Sequence, residues 1–226
     1  MTRSAFLRAR RPEQKQQRRN AILDAARDLA SAAGVRNVSL GAVAEAVGLA
    51  KSNISRYYAT REEIYLELLA AEWQQCAQTL AARLHHAEGT EAALTALAKT
   101  MTERPLFCDL LSHLPTSLEL NISAAAARNF KHAMHDHFAT IGAAIADATE
   151  LTASEGTELV GAAAGMAGLL YRAANPPPVL AQVYAQDPEL AATRPALQPT
   201  LIRMLLALAA GLPTLRGRTF PDGHAV

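Results

Sequence analysis

Apolar residues recur at three- and four-residue spacing along most of this chain. Between Glu13 and Ala33, Ile22, Ala26, Leu29 and Ala33 share one face, and Gly34 suits the left-handed residue that closes a helix. Ser39 is placed to cap a second helix bearing Leu40, Val43, Ala44 and Val47, stopped by Gly48. A third runs from about Lys51 to Tyr58. Thr60-Arg61-Glu62-Glu63 has capping-box spacing, with Thr60 and Glu63 as the reciprocal pair. It opens a long helix to about His86 whose inner face carries Tyr65, Leu69, Trp73, Cys76, Leu80 and Leu84.

The same spacing predicts helices near 90–103 and from Arg104-Pro105 until Pro115 kinks or breaks the run. Ser123 caps a helix with Phe130, Met134, Phe138, Ile141 and Ile145, and a Thr152/Glu155 capping box opens another to about Ala174, stopped by Asn175-Pro-Pro-Pro. A short segment around 179–185 precedes a last helix over about 195–212. No period-two pattern and no internal repeat occurs, so the expected fold is all-α. Composition agrees: half the residues are hydrophobic but only 5% are aromatic, so Ala and Leu dominate. The organisation read from these signals is a mobile basic arm (1–12), a three-helix domain (13–60), a linking helix (61–86), a larger helical body (87–215) and a loose tail (216–226).

Charge divides the chain unevenly. Residues 1–61 hold twelve Lys/Arg against four Asp/Glu, a surplus of eight positive charges, whereas residues 62–226 hold ten against seventeen. A basic head on an acidic body points to a polyanionic partner. Within that head, two short helices joined at a glycine have the helix-turn-helix layout, whose second helix is presented to the major groove. Lys51, Ser52 and Asn53 supply short donors and acceptors at its front, and Ile54 and Tyr57 pack back onto Val43, Val47 and Ile22. Ser55, Arg56 and Tyr58 complete the exposed set.

The stretch VAEAVGLAKSNISRYYATREEIYLELL resembles the N-terminal module of the TetR family of bacterial repressors over roughly residues 14–70. Ala44 matches the alanine midway in the second helix, Gly48 the turn glycine, Ala50-Lys51 the start of the recognition helix, Tyr57-Tyr58 its closing aromatic pair, and Arg61-Glu62-Glu63 the opening of the fourth helix. Two positions depart from the pattern. Ala50 lacks the frequent serine hydroxyl, and Ser55 stands where many members place a phosphate-binding tyrosine, leaving Arg56 and Tyr57 to reach the backbone. The resemblance implies a transcriptional regulator, most simply a repressor released from a palindromic operator by a small hydrophobic or amphipathic effector. Its DNA-contacting set is Ser39, Lys51, Ser52, Asn53, Ser55, Arg56, Tyr57, Tyr58 and Arg61.

The resemblance also implies a homodimer and an effector pocket in the body. Gly161, Gly165 and Gly168 among alanines make a small-residue face, and Leu201, Leu205, Leu208 and Leu212 form a stripe. Two such helices per subunit would build a four-helix interface. The pocket is expected among Met101, Phe107, Leu111, Leu114, Leu118 and Phe130, with Met134, Phe138, Met166 and Tyr171 and with His113 as an orienting group. Pro115 leaves unpaired backbone and room beside it.

His132 and His135, at i and i+3 beside Asp136, lack a third converging ligand, as do His113 and His137, so no metal or cofactor is expected. Cys76 and Cys108 read as packing thiols in a reducing cytosol. No Gly-rich phosphate loop, Ser/His/Asp signature or HExxH motif appears, so the chain is not expected to be an enzyme. A helical enzyme using His113 with Asp109 is the competing class, and a constitutive DNA-binding protein without an effector is another. The N-terminus lacks a secretory apolar stretch, and the run Leu159–Tyr171 is well short of a bilayer span, so a soluble cytoplasmic protein is expected.

Overall fold

The computed structural model describes residues 3–218, among which the chain forms eleven α-helices and no strand. In order they are α1 (Arg3–Ala33), α2 (Leu40–Ala46), α3 (Lys51–Ile54), α4 (Arg61–Leu84), α5 (Gly89–Thr102), α6 (Pro105–His113), α7 (Ala124–Asp147), α8 (Ala153–Ala174), α9 (Pro178–Gln186), α10 (Pro188–Ala192) and α11 (Leu197–Gly211). Short 3-10 turns cover Val35–Asn37 and Leu212–Leu215, and a π-helical turn covers Leu114–Leu118.

The caps explain most boundaries. Gly34 (φ 83°) and Gly48 (φ 65°) take the positive φ that glycine adopts readily, which ends α1 and turns the chain after α2. The Ser39, Ser123 and Thr152 hydroxyls each accept a backbone N–H in the first turn of α2, α7 and α8, and Glu155 completes a true capping box with the Thr152 N–H. The Thr60 box is only half formed. Thr60 accepts from the Glu63 N–H, but the Glu63 carboxylate accepts from the Ala59 N–H (3.0 Å) and from the Ser123 hydroxyl (2.8 Å). The acid thereby ties the start of α4 to the start of α7.

Three expectations need correcting. The backbone of 3–12 is helical and continuous with α1, RSAFLRARR being rich in good helix formers, although Pro12 removes one backbone hydrogen bond and crowds the preceding turn. Met1 and Thr2 lie outside the described residues. The third helix is a single α-turn, Lys51–Ile54, after which 55–57 form non-helical turns. The tail is anchored at its start: Arg216 donates two hydrogen bonds to the buried Glu155 carboxylate (2.7 and 2.6 Å), while 219–226 lie outside the described residues. Pro115 does break α6, and the chain continues as the π-turn.

One hydrophobic core runs from head to body. In the head, Ile22 and Ala26 of α1 pack with Val43 and Ala44 of α2, Ile54 of α3, and Tyr58. The spine is α4, whose Leu68, Leu69, Trp73 and Cys76 are fully buried, with Trp73 edge-on to Phe107 (4.8 Å) and Phe138 (5.0 Å). The helices α7 and α8 cross at two glycines: a Cβ on Gly156 would fall 2.2 Å from the Gly142 carbonyl oxygen. Only glycine at both positions allows that approach.

Candidate nucleic-acid interface and its junction with the body

Burial sorts the side chains of the α3 segment. Ile54 is fully buried and anchors the segment, while Lys51, Ser52, Asn53, Ser55 and Arg56 are exposed together. Ala50 supplies no side-chain cap, so the first N–H groups of this turn stay open. The Ser55 hydroxyl donates to the Ser52 carbonyl (2.9 Å), which leaves Ser52 and Asn53 as the free hydrogen-bonding side chains at the front. Ser39 is exposed, its oxygen committed to the Ala42 N–H (3.1 Å).

The closing aromatic pair behaves differently from expectation. Tyr58 is buried, not exposed, with the Arg19 guanidinium 4.5 Å above its ring and burial as the main cause pushing its phenol far above the usual range. Tyr57 is half-buried against the core. Tyr58 thus packs into the head. Arg61 is also partly spent: it pairs with Glu62 and donates to the carbonyls of Val38 (2.8 Å) and Arg36 (3.2 Å). The α1 residues Lys15 and Arg18, both exposed, line an open groove with Arg56 and Tyr57. Sequence reading missed them, although their signal was present as cations two turns and one turn before Ile22.

Head and body meet along a polar seam. Asp109 of α6 accepts from the Val35 N–H in the head (2.8 Å) and faces His113 (3.5 Å). Burial pushes the Asp109 carboxyl up, but the hydrogen bonds from His113 and Val35 outweigh it and hold it below the usual range. Beside this contact the buried carboxylate of Glu72 on α4 meets Arg27 of α1 (3.5 Å) and Arg104 at the start of α6 (2.8 Å). Three helices are thereby tied at one acid.

The residues expected to line an effector pocket do not form one cavity. Met101, Phe107, Leu111, Leu118, Phe130 and Met134 are buried in the core, and Leu114, Phe138, Met166 and Tyr171 pack partly buried against it. Separate clefts receive His113, Phe130 and Tyr171. Aromatic and Met stripes at helical spacing serve packing and pockets alike, so the sequence pattern does not distinguish them. Within that core the Trp73 Nε1–H and the Tyr65 hydroxyl have no partner.

The expected dimer residues split in the same way. Leu201, Leu205 and Leu212 are buried within the subunit, Leu208 is half-buried, and Gly168 lies against the α6 backbone, where a Cβ would come within 2.8 Å of the Ser112 nitrogen. Gly161 faces Phe138. Of the set, Gly165 alone faces open space, beside Leu169, which is 71% exposed. A small-residue stripe fits a neighbour in the same chain as well as one in a partner. Cys76 and Cys108 are buried thiols, each pushed by burial up to about 12, and His132 and His135 are exposed on α7.

A tight helix-turn-helix with an exposed polar reading turn, set on a helical body by a long shared helix, defines a DNA-binding regulator. Residues 22–68 match the family model for bacterial regulatory proteins of the tetR family, and residues 70–216 match the tetracyclin repressor-like C-terminal domain. The chain belongs to the TetR family of transcriptional regulators. Among curated proteins none matches this sequence.

Similar solved structures agree on the fold. The fatty acid degradation regulator FadR of Bacillus halodurans superposes with a TM-score of 0.56 at 13% identity, over 85% of this chain and 98% of that one. Thermus thermophilus FadR, a TetR-family repressor in complex with lauroyl-CoA, gives 0.55 at 18% identity over 90% and 97%. A TetR/AcrR-family regulator from Thermobifida fusca gives 0.50 at 19% identity over 86% and 98%.

Proposed function

We propose that this protein is a cytoplasmic homodimeric repressor that reads an inverted-repeat operator through the α3 turn and lets go when an amphipathic small molecule enters its body. The observation that carries the DNA part is the α3 segment itself, where Ile54 is buried and five hydrogen-bonding or cationic side chains are exposed. Ser52 and Asn53 are the base readers; Lys51, Arg56, Lys15 and Arg18 hold phosphates, and Ser39, Ser55 and Arg61 brace the frame that presents them.

The effector reading is supported by the unpaired Trp73 Nε1–H and Tyr65 hydroxyl. A buried polar group without a partner costs about 1–3 kcal/mol, which a ligand accepting from it would recover. The Thermus relative holds an acyl-CoA, so a long apolar chain with a polar end is the first class to try. Dimerisation is supported by the outward faces of two adjacent helices, α8 with Gly165 and Leu169 and α11 with Met204, and by the exposed Val179, Leu180 and Val183 on α9. The segment Leu197–Leu215 is long and apolar enough by composition to cross a membrane; its mid-helix Arg203 and its buried Leu201 and Leu205 fit a subunit core with a partner face better.

A gel shift on DNA upstream of the gene, with and without lauroyl-CoA, tests this function. Retardation relieved by the ligand is expected. Retardation that no acyl-CoA or lipophilic probe relieves would favour a constitutive binder, and absence of any retarded band would overturn the proposal.

A further inference from the structure

We infer that the seam between head and body holds an anion-binding site for a small molecule bearing a phosphate or carboxylate group. The cleft measures about 410 Å³ and lies between the Val35–Asn37 turn of the head, the end of α6, the π-turn and the last turns of α8. Three guanidinium groups line it: Arg36 from the head, Arg61 from the start of α4, and Arg172 from α8.

The acids nearby are already engaged. Glu62 pairs with Arg61 (2.8 Å), and Asp109 is held by the Val35 N–H and His113. Among the described residues Arg36 and Arg172 have no carboxylate within 4.0 Å, and Asp109 acts on Arg172 only through space, so two cations without a direct ion pair face one cleft. An anion between them would make charge-assisted bonds to both.

The remaining wall is polar. His113 is 7% exposed and lines the cleft, and the Thr116 and Ser117 hydroxyls both donate to the one His113 carbonyl at 3.4 and 3.3 Å. Two long bonds to one acceptor are weak, so either hydroxyl can turn to an incoming oxygen at little cost. The C-terminal ends of α6 and α8 contribute partial negative charge here. That opposes an anion and is met by the guanidinium pair.

An occupied cleft would join Arg36 of the head to Arg172 of the body across the seam. It would also compete for Arg61, whose bonds to the Val38 and Arg36 carbonyls brace the head that presents the α3 turn. Bound anion and bound operator therefore disfavour each other, by the same factor in both directions. This coupling rests on the ligand-released reading above; the site does not.

The test is calorimetric titration of the full-length protein with inorganic pyrophosphate, at ionic strength held constant with potassium chloride. It is run on the wild type and on Arg172→Gln, each with and without a selected operator duplex. Arg172 lies in the body, so the variant should keep its operator affinity in the absence of anion. Saturable binding weakened about tenfold or more in the variant supports the site.

Weaker pyrophosphate binding in the presence of operator, lost in the variant, supports the coupling. Binding that operator leaves unchanged upholds the site and overturns release through it. No saturable binding, or equal affinity in wild type and variant, overturns the site. Arg172 would then only complement the end of α8.

Discussion

Replacing Asp109 by alanine should loosen the junction between head and body. The carboxylate accepts from the Val35 N–H at 2.8 Å, and Val35 is 1% exposed, so the donor loses its acceptor at a site only partly open to water. A hydrogen bond to a charged group contributes about 1.5–3 kcal/mol net, and stranding a buried donor costs a similar amount for the same event. The Asp109 side chain is 17% exposed, which places the expected loss near 2 kcal/mol. At 1.4 kcal/mol per decade that is roughly thirtyfold in the local opening constant.

Hydrogen exchange at the Val35 amide reads this directly, with amides in the α8 interior as the internal reference. Asp109→Asn keeps an acceptor but not the charge and should lose about half as much. Because the folded carboxyl titrates below its unfolded value, the bond is complete above the ordinary carboxylate range. It is lost as pH falls through the lowered folded value. Unchanged Val35 protection in the alanine variant, or equal loss in both variants, would refute the reasoning.

Gly156→Ala should destabilise the protein by about 3 kcal/mol in urea unfolding, since its Cβ would sit 2.2 Å from a backbone oxygen that cannot rotate away. Gly142→Ala meets the same crossing, so the double variant should cost less than the sum. The Arg216 hydrogen bonds and the Thr152 cap hold the Glu155 carboxyl down to about 2, so the stability they add is full above about 4.3 and lost towards pH 2. Arg216→Ala should flatten that acid limb in a pH series of thermal melts. Arg56→Ala should weaken all duplexes alike and lower the salt slope by about one unit, measured by fluorescence anisotropy.

Helices were readable from the sequence where a capping side chain coincided with apolar spacing, as at Ser39, Ser123 and Thr152. The reading failed where one residue type serves two ends. The sequence pattern reads Tyr58 as an exposed polar aromatic, but Arg19 closes over its ring from α1 and is itself held by Glu67, 48 residues further along the chain, a separation no local pattern records. Leu201, Leu205 and Leu212 were right as an apolar stripe, yet α5 and α8 take it before any partner could. Gly142 and Gly156 went unnoticed because their importance is a backbone crossing between two helices. Asp109 was singled out only as a candidate catalytic partner of His113; its bond to Val35 spans 74 residues.

The claim that the α3 turn reads DNA sequence is tested most directly by selection from a random duplex library, wild type against Asn53→Ala. The wild type should enrich an inverted repeat whose half-sites lie about one helical turn, or a multiple, apart. The variant should enrich the same spacing with altered preference at one or two symmetric positions. No enriched sequence for the wild type, or an Asn53→Ala variant that loses affinity for every duplex equally while keeping the same preferences, would contradict the account.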